Sequence, residues 1–360
     1  MATVVELCGV HKSFRRRARS ATFAGLLRDL ARPRWEIVTA LNGIDLAVEA
    51  GEMVAYAGPN GAGKSTTIKL LAGLLAPDVG TVRSLGADPV RDRVRYVGKI
   101  GVVFGQRTEL WWDHPVAATF AWRKTVWNIP DDVYRRSLAF ARELLGLDPF
   151  WSAAARELSL GQRMRADLAL ALVGEPQILF LDEPTIGLDV LVKQEVLEAI
   201  RTLNRERAVT VMITSHDMAD LEQLRARIVL LKEGAIAFDG SFEDLRRRMG
   251  DRRRLVLETD SEVAPALPGA THLGSEGMRH EYAFDAIATP IPELLAAAAV
   301  RAHLVDVETH RAPIEDMIAD LYRGWRGASS GYLATRQRGR EHLPSGSAMY
   351  SRPRARGQPP

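Results

Sequence analysis

Nine residues, Gly58-Pro59-Asn60-Gly61-Ala62-Gly63-Lys64-Ser65-Thr66, constrain this chain more than any other segment. They match G-x-x-x-x-G-K-[ST] and stand between an apolar run, Met53–Ala57, and a helix expected over Ser65–Leu75. The glycines permit positive φ, which lets backbone N–H groups wrap a phosphate chain. Lys64 supplies a point charge for the β- and γ-phosphates, and Ser65 a hydroxyl for Mg²⁺. The following helix turns its positive end toward the anion. Gly58, Asn60, Gly61, Gly63, Lys64, Ser65 and Thr66 are therefore candidate nucleotide-binding residues.

A second motif fits the first. Ile178-Leu179-Phe180-Leu181 is an apolar strand closed by Asp182 and Glu183. A buried parallel strand that ends in acid puts Asp182 at the carboxyl edge of a sheet, where a metal shell would lie. Glu183 is then placed to take a proton from an attacking water.

The surrounding pattern is α/β. Strands are expected at Thr3–Cys8, Thr39–Leu41, Ile44–Val48, Met53–Ala57 and Ile100–Phe104. From about 109 to 172 the periodicity turns helical, with an amphipathic helix at Asp132–Leu145 and an apolar-rich one at 160–173. Strand and helix then alternate through Ile178–Leu181, Val190–Asn204, Val209–Thr214 and Met218–Leu224, before a strand pair around Gly234. Continuous apolar strands in βα alternation predict a parallel sheet covered on both faces, with a helical subdomain inserted. After Leu245, RRRMGDRRR reads as a charged linker into a small βαββαβ-like α+β domain over 252–325. Residues 327–360 are rich in Gly, Ser, Pro and Arg and predict disorder.

Charge is uneven along the chain. The net +3 combines +7 over 11–34, +5 over 327–360 and an acidic remainder of −9. Basic ends on an acidic body argue against nucleic acid as the body's direct partner and leave the ends for an anionic surface. Residues 15–37 form a basic insertion, with Phe23, Leu26, Leu27 and Leu30 at helical spacing. That helix either packs on its own domain or meets a membrane partner or lipid headgroups. A single cysteine, Cys8, excludes an internal disulfide and a Cys-based zinc site. No apolar run approaches the roughly 18 residues of a membrane span, and the N-terminus lacks a secretory pattern.

Between the two phosphate-site motifs lies Leu158-Ser159-Leu160-Gly161-Gln162, with Ser159 23 residues before Asp182. This L-S-x-G-Q resembles the signature of ATP-binding-cassette (ABC) ATPases, and the resemblance covers about residues 3–245. Gln106 is similar to the family's Q-loop glutamine, Gly187-Leu188-Asp189 to its D-loop and His216 to its switch histidine. Phe14 resembles the aromatic that stacks on adenine, with Trp35 as competitor. Three departures stand out: Leu160 where Gly is commoner, I-G-L-D in place of S-A-L-D, and Phe14 in place of Tyr as the adenine aromatic. The resemblance implies an ABC-type P-loop domain with an antiparallel β subdomain and an inserted helical subdomain. It implies ATP and Mg²⁺, with Gln106 beside Ser65 and Asp182 at the metal, and Glu183, His216 and Gln106 as catalytic residues. It implies a dimer, with a second copy or a paralogous cassette, in which Ser159, Gly161, Gln162 and Asp189 meet the nucleotide across the interface.

One cassette without membrane spans resembles a separate ATP-binding subunit at the cytoplasmic face of a membrane, driving a separate permease. The wording G-Q-R-T-E-L-W-W-D, L-S-L-G-Q-R-M-R and D-E-P-T-I-G-L-D is similar to a bacterial subgroup paired with ABC-2 type permeases and linked to drug or viologen export. Trp111 and Trp112, just after Gln106, are either core of the helical subdomain or part of a groove for the permease. The alternative is a soluble regulatory or nucleic-acid-associated ATPase that uses its arginine-rich ends.

Overall fold

The computed structural model describes residues 2–17, 35–105, 107–249, 252–311 and 318. Three sheets organise them. The first is antiparallel, in the order β2-β1-β4, from β1 (Thr3–Arg17), β2 (Trp35–Glu49) and β4 (Val79–Ser84). Alternating apolar residues on one face, among them Val5, Leu7, Ile44, Leu46 and Val48, are buried against the second sheet's outer side.

The second sheet is the scaffold of the site. Its order is β5-β6-β7-β3-β8-β9, with β3 (Met53–Ala57), β5 (Ile100–Phe104), β6 (Ile178–Asp182), β7 (Thr210–Ser215), β8 (Arg227–Lys232) and β9 (Ala235–Gly240). All pairs are parallel except β8–β9. Its central strands are buried along nearly their whole length, so both faces are covered, as continuous Val/Ile/Leu runs demand. One face packs on α1 (Lys64–Leu71) and the antiparallel sheet. The other packs on α5 (Leu160–Leu172), α6 (Val190–Arg207) and α7 (Met218–Gln223). α3 (Val116–Val126) and α4 (Asp131–Leu145) join α5 in a helical layer around Phe120, Leu145, Leu147 and Phe150. Between β4 and β5 lies the short α2 (Arg93–Val97).

The third sheet, β11-β12-β10-β13, is antiparallel and has its own core of Leu255, Leu257, Tyr282, Phe284 and Leu294. Its elements are β10 (Arg252–Thr259), β11 (Ala270–Glu276), β12 (Arg279–Asp285), α9 (Ile291–Ala299) and β13 (Leu304–Arg311).

Four local differences from the sequence reading have physical causes. β1 and β2 run far beyond Cys8 and Thr39, pairing Arg15 with Ile37 and Arg17 with Trp35. Cross-strand ladder bonds hold basic residues that carry little β signal of their own. The candidate helix within 18–34 lies outside the described residues. RRRMGDRRR is no linker at its described ends: α8 (Phe242–Met249) runs through the first arginines and β10 starts at Arg252. The third sheet is built βββαβ, so its outline departs from a βαββαβ order in having no helix between its first two strands, where Gly269 at φ +80 and the flanking prolines lead into β11. α1 stops at Leu71, four residues earlier than expected, ahead of Gly73 at φ +68. Among the described residues no helix is long and apolar enough to cross a membrane.

Candidate functional site

The carboxyl ends of β3, β5, β6 and β7 converge on one cavity of about 600 Å³. Asn60, Gly61, Lys64, Ser65, Lys69, Phe104, Arg107, Asp182, Glu183, Ile186 and His216 line it. This is the edge at which parallel α/β sheets bind ligands.

The loop after β3 folds as its sequence requires. Gly58, Gly61 and Gly63 all take positive φ. Gly63, at φ +108, caps α1, and a Cβ there would lie 2.5 Å from the Ala40 carbonyl oxygen. Lys64 is buried, and its Nζ donates to the carbonyls of Gly58 (2.7 Å) and Pro59 (3.3 Å). Burial lowers its pKa, against the pull of Glu183 and Asp182. Glu183 Oε1 stands 3.8 Å away. Asn60 is exposed at the rim, and Thr66 is half-buried on α1.

Asp182 ends β6, directly opposite Thr214 of β7 in the parallel register. Its Oδ1 accepts from the Ser65 hydroxyl at 3.0 Å and the Thr214 hydroxyl at 2.7 Å. Thr214 Oγ in turn accepts from the Glu183 amide at 3.0 Å. Glu183 has φ +53, an unfavourable conformation for a residue with a side chain. That turn aims its carboxylate into the cavity, between Lys64 and His216, whose Nδ1 is 3.7 Å from Oε2. Next door, Lys193 bridges Asp217 (2.6 Å) and the buried Asp220 (3.0 Å), and Thr185 donates to Asp220 at 2.9 Å. This network fixes the loop after Glu183 to the loop after His216.

The signature residues stand elsewhere in the chain. Ser159 caps α5 in a reciprocal box: its Oγ accepts from the Gln162 amide at 3.2 Å, and Gln162 Oε1 accepts from the Ser159 amide at 2.9 Å. Gly161 is buried where a Cβ would lie 2.5 Å from Val192 Cγ1. Asp189 caps α6, accepting from the Val192 amide at 3.0 Å. Ser159, Gly161, Gln162 and Asp189 thus form a second cluster, and none lines the cavity of Lys64. Leu160 and Gly187, which belong to two of the departures, lie against each other: a Cβ on Gly187 would sit 3.1 Å from Leu160 Cδ2.

Phe14 lies on β1, exposed and outside that cavity, with Lys12 Nζ 5.7 Å from its ring centre. Trp35 is exposed at the far end of β2. Gln106 lies outside the described residues. Trp111, Trp112, Trp122 and Trp127 are all exposed on the helical layer. Trp111 packs on Trp122 at 5.2 Å between ring centres, Arg163 lies over Trp112 and Arg123 over Trp127.

Sequence reasoning passed over Thr214, Lys193, Asp220, Arg107 and Asp167. The parallel alignment of β6 and β7 would have pointed to Thr214, since it places the last residues of the two strands side by side.

A phosphate loop on β3, acid at the end of β6 and a capped signature helix define a P-loop nucleotide-binding cassette. The family model described as ABC transporter matches residues 41–186. The energy-coupling factor transporter ATP-binding protein of Clostridium perfringens is 30% identical over 239 residues, covering 65% of this chain and 81% of that one. A daunorubicin resistance ATP-binding protein of Streptomyces coeruleorubidus is 34% identical over 243 residues, covering 66% and 75%. A solved dimeric ATP-binding cassette in a post-hydrolysis state with ADP and phosphate superposes with a TM-score of 0.54 at 24% identity, covering 66% of this chain and 98% of that one. The chain belongs to the ABC transporter ATP-binding family and is an ATP-hydrolysing, ATP-binding subunit of an ABC transporter.

Proposed function

We propose that this subunit drives an ABC-2 type permease in export of a drug-like or other small substrate, from the cytoplasmic face of the membrane. The two relatives' names share the ATP-binding role and no cargo, so the finer reading leans on this chain's own residues. The observation that carries it is the exposed tryptophan patch on the helical layer, reached from the phosphate cavity through residues 107–112. The Trp111–Trp122 pair, the adjacent exposed Trp112 and the arginine stacked on it are an interface composition and not a solvated face.

In the mechanism, Lys64 and the amides of the phosphate loop hold the β- and γ-phosphates of ATP. The site fits a magnesium ion, because Ser65 Oγ and Asp182 Oδ1 already converge as hard oxygen donors at 3.0 Å. With Gln106 they would hold it, and the bound ion supplies charge neutralisation at the phosphates. Glu183 orients a water and takes its proton, while His216 hydrogen-bonds the γ-phosphate side of the cavity. Lys64 stabilises the charge that gathers on the transferred phosphoryl oxygens. Phe14 contributes the adenine contact. The second cluster, Ser159, Gly161, Gln162 and Asp189, lies outside the Lys64 cavity, and that separation supports a reading in which it serves the nucleotide of a second cassette.

The test is affinity capture of tagged Glu183→Gln chain with ATP from mildly solubilised native membranes. The variant is expected to bind ATP, persist as a dimer and bring down a polytopic membrane protein. A Trp111→Ala/Trp122→Ala version should keep ATP binding and lose that protein. Recovery of soluble partners or nucleic acid alone would remove the permease reading and leave the ATPase.

A further inference from the structure

The signature helix carries a buried carboxylate two turns from its start. Asp167 of α5 is 7% exposed and sits in the apolar layer with Met164, Leu168 and Ala171. Its Oδ1 accepts from the Thr108 hydroxyl and from the Glu109 amide, each at 3.0 Å. Thr108 Oγ also accepts from the Leu110 amide at 3.1 Å. One turn earlier, Arg163 lies over Trp112 at 4.7 Å and its Nη2 donates to the Leu158 carbonyl at 3.4 Å. Two successive turns of one helix therefore grip both ends of the segment 108–112.

A buried carboxylate is costly. Desolvation pushes Asp167 up to about 7, even though the Glu109 amide and the Thr108 hydroxyl pull the other way. An apolar residue of similar size would avoid that cost but would strand a buried amide and a hydroxyl. What the carboxylate adds is a fixed register between a loop and a helix.

The loop's position gives that register a purpose. It starts at Arg107, which lines the phosphate cavity, and ends at the tryptophan patch. The helix it is tied to starts at Ser159. We infer that Asp167 is a positioning residue that fastens the loop between cavity and tryptophan patch to the signature helix, so that the patch and the helix start move as one body. The inference rests on the ATPase reading of the cavity, and its test separates the two.

The experiment uses the full chain and compares wild type, Asp167→Ala, Asp167→Asn and Thr108→Val. ATPase kcat and KM are measured together with the Kd of a fluorescent ATP analogue. Asp167→Ala should lower kcat about tenfold while Kd changes less than about twofold, since the phosphate loop is untouched. Asp167→Asn keeps an acceptor oxygen and should restore kcat to within about threefold. Thr108→Val removes one tie from the loop side and should lower kcat with Kd unchanged. It decides the matter alone if Asp167→Ala does not fold. Wild-type kcat in Asp167→Ala or Thr108→Val would overturn the inference. So would an Asn variant as impaired as Ala, or a Kd that rises in step with the loss of kcat. A wild-type chain without ATPase activity would instead remove the reading beneath it, and the inference with it.

Discussion

Thr214→Val isolates the bond that holds Asp182 in place. Valine keeps the β-branched shape that suits the buried strand β7 and exchanges only the hydroxyl for a methyl. The change deletes the 2.7 Å bond to Asp182 Oδ1 and, among the described residues, leaves the carboxylate the Ser65 hydroxyl as donor. The Glu183 amide is not orphaned, because the Thr214 carbonyl oxygen still accepts it at 3.1 Å. A hydrogen bond to a charged group contributes about 1.5–3 kcal/mol, and the added buried methyl returns about 0.8 kcal/mol. The net cost is about 1–2 kcal/mol. If that energy serves to place Asp182 in the transition state, kcat falls about 5- to 30-fold. The assay is steady-state ATP hydrolysis with a parallel nucleotide-binding titration and a thermal melt. The reasoning fails if the folded variant turns over at the wild-type rate, or if its ATP Kd rises as far as its kcat falls.

Two further predictions concern the signature helix. Asp167 has a folded-state pKa of about 7 against 3.8 for an ordinary Asp, so between those values the folded chain holds a proton that the unfolded chain has lost. Its contribution therefore favours folding below about pH 4 and is lost as pH rises toward 7, at about 1.4 kcal/mol per pH unit. Urea denaturation should show Asp167→Asn gaining on wild type by up to about 4 kcal/mol across that window, then running parallel above it. A constant difference between the two from pH 4 to 7 would contradict the raised pKa. Gly161→Ala places a methyl 2.5 Å from Val192 Cγ1, so the start of α5 must move off α6. ATP binding should survive, while hydrolysis drops and the ATP-dependent dimer of the Glu183→Gln background is lost. Adding Val192→Ala should restore both, and no rescue would mean that crowding is not the cause.

Much of the cassette was legible in the sequence because its signals are local. Apolar strands such as Ile178–Asp182 and Ile100–Phe104 stand out by composition, and the Gly-rich loop is a contiguous string that glycine's freedom explains. The supporting residues were illegible for the opposite reason. Thr214 looks like any β-former at the end of a strand, and only its alignment beside Asp182 gives it a task. Asp167 looks like a polar position on a helix until the loop at 108–109 is folded onto it. The long ladder between β1 and β2 escaped notice because pairing between residues as distant as Arg15 and Ile37, or Arg17 and Trp35, leaves no trace in either strand alone.

That ladder has a mechanical consequence. Beyond Leu41, the last fully buried residue of β2 toward its start, the described residues continue only as a two-stranded ribbon, out to Arg17 and Trp35. Six residues at about 3.3 Å each make an arm of about 20 Å. Phe14, Trp35, Ile37 and Val38 are exposed along it. On an arm of that length, a 10° swing of the cassette body carries the tip through about 3.5 Å, close to the rise of one strand residue. A rigid ribbon of this length therefore multiplies a small rotation of the body it is anchored in, so that its outer residues travel about one strand position where the body's own edge barely shifts.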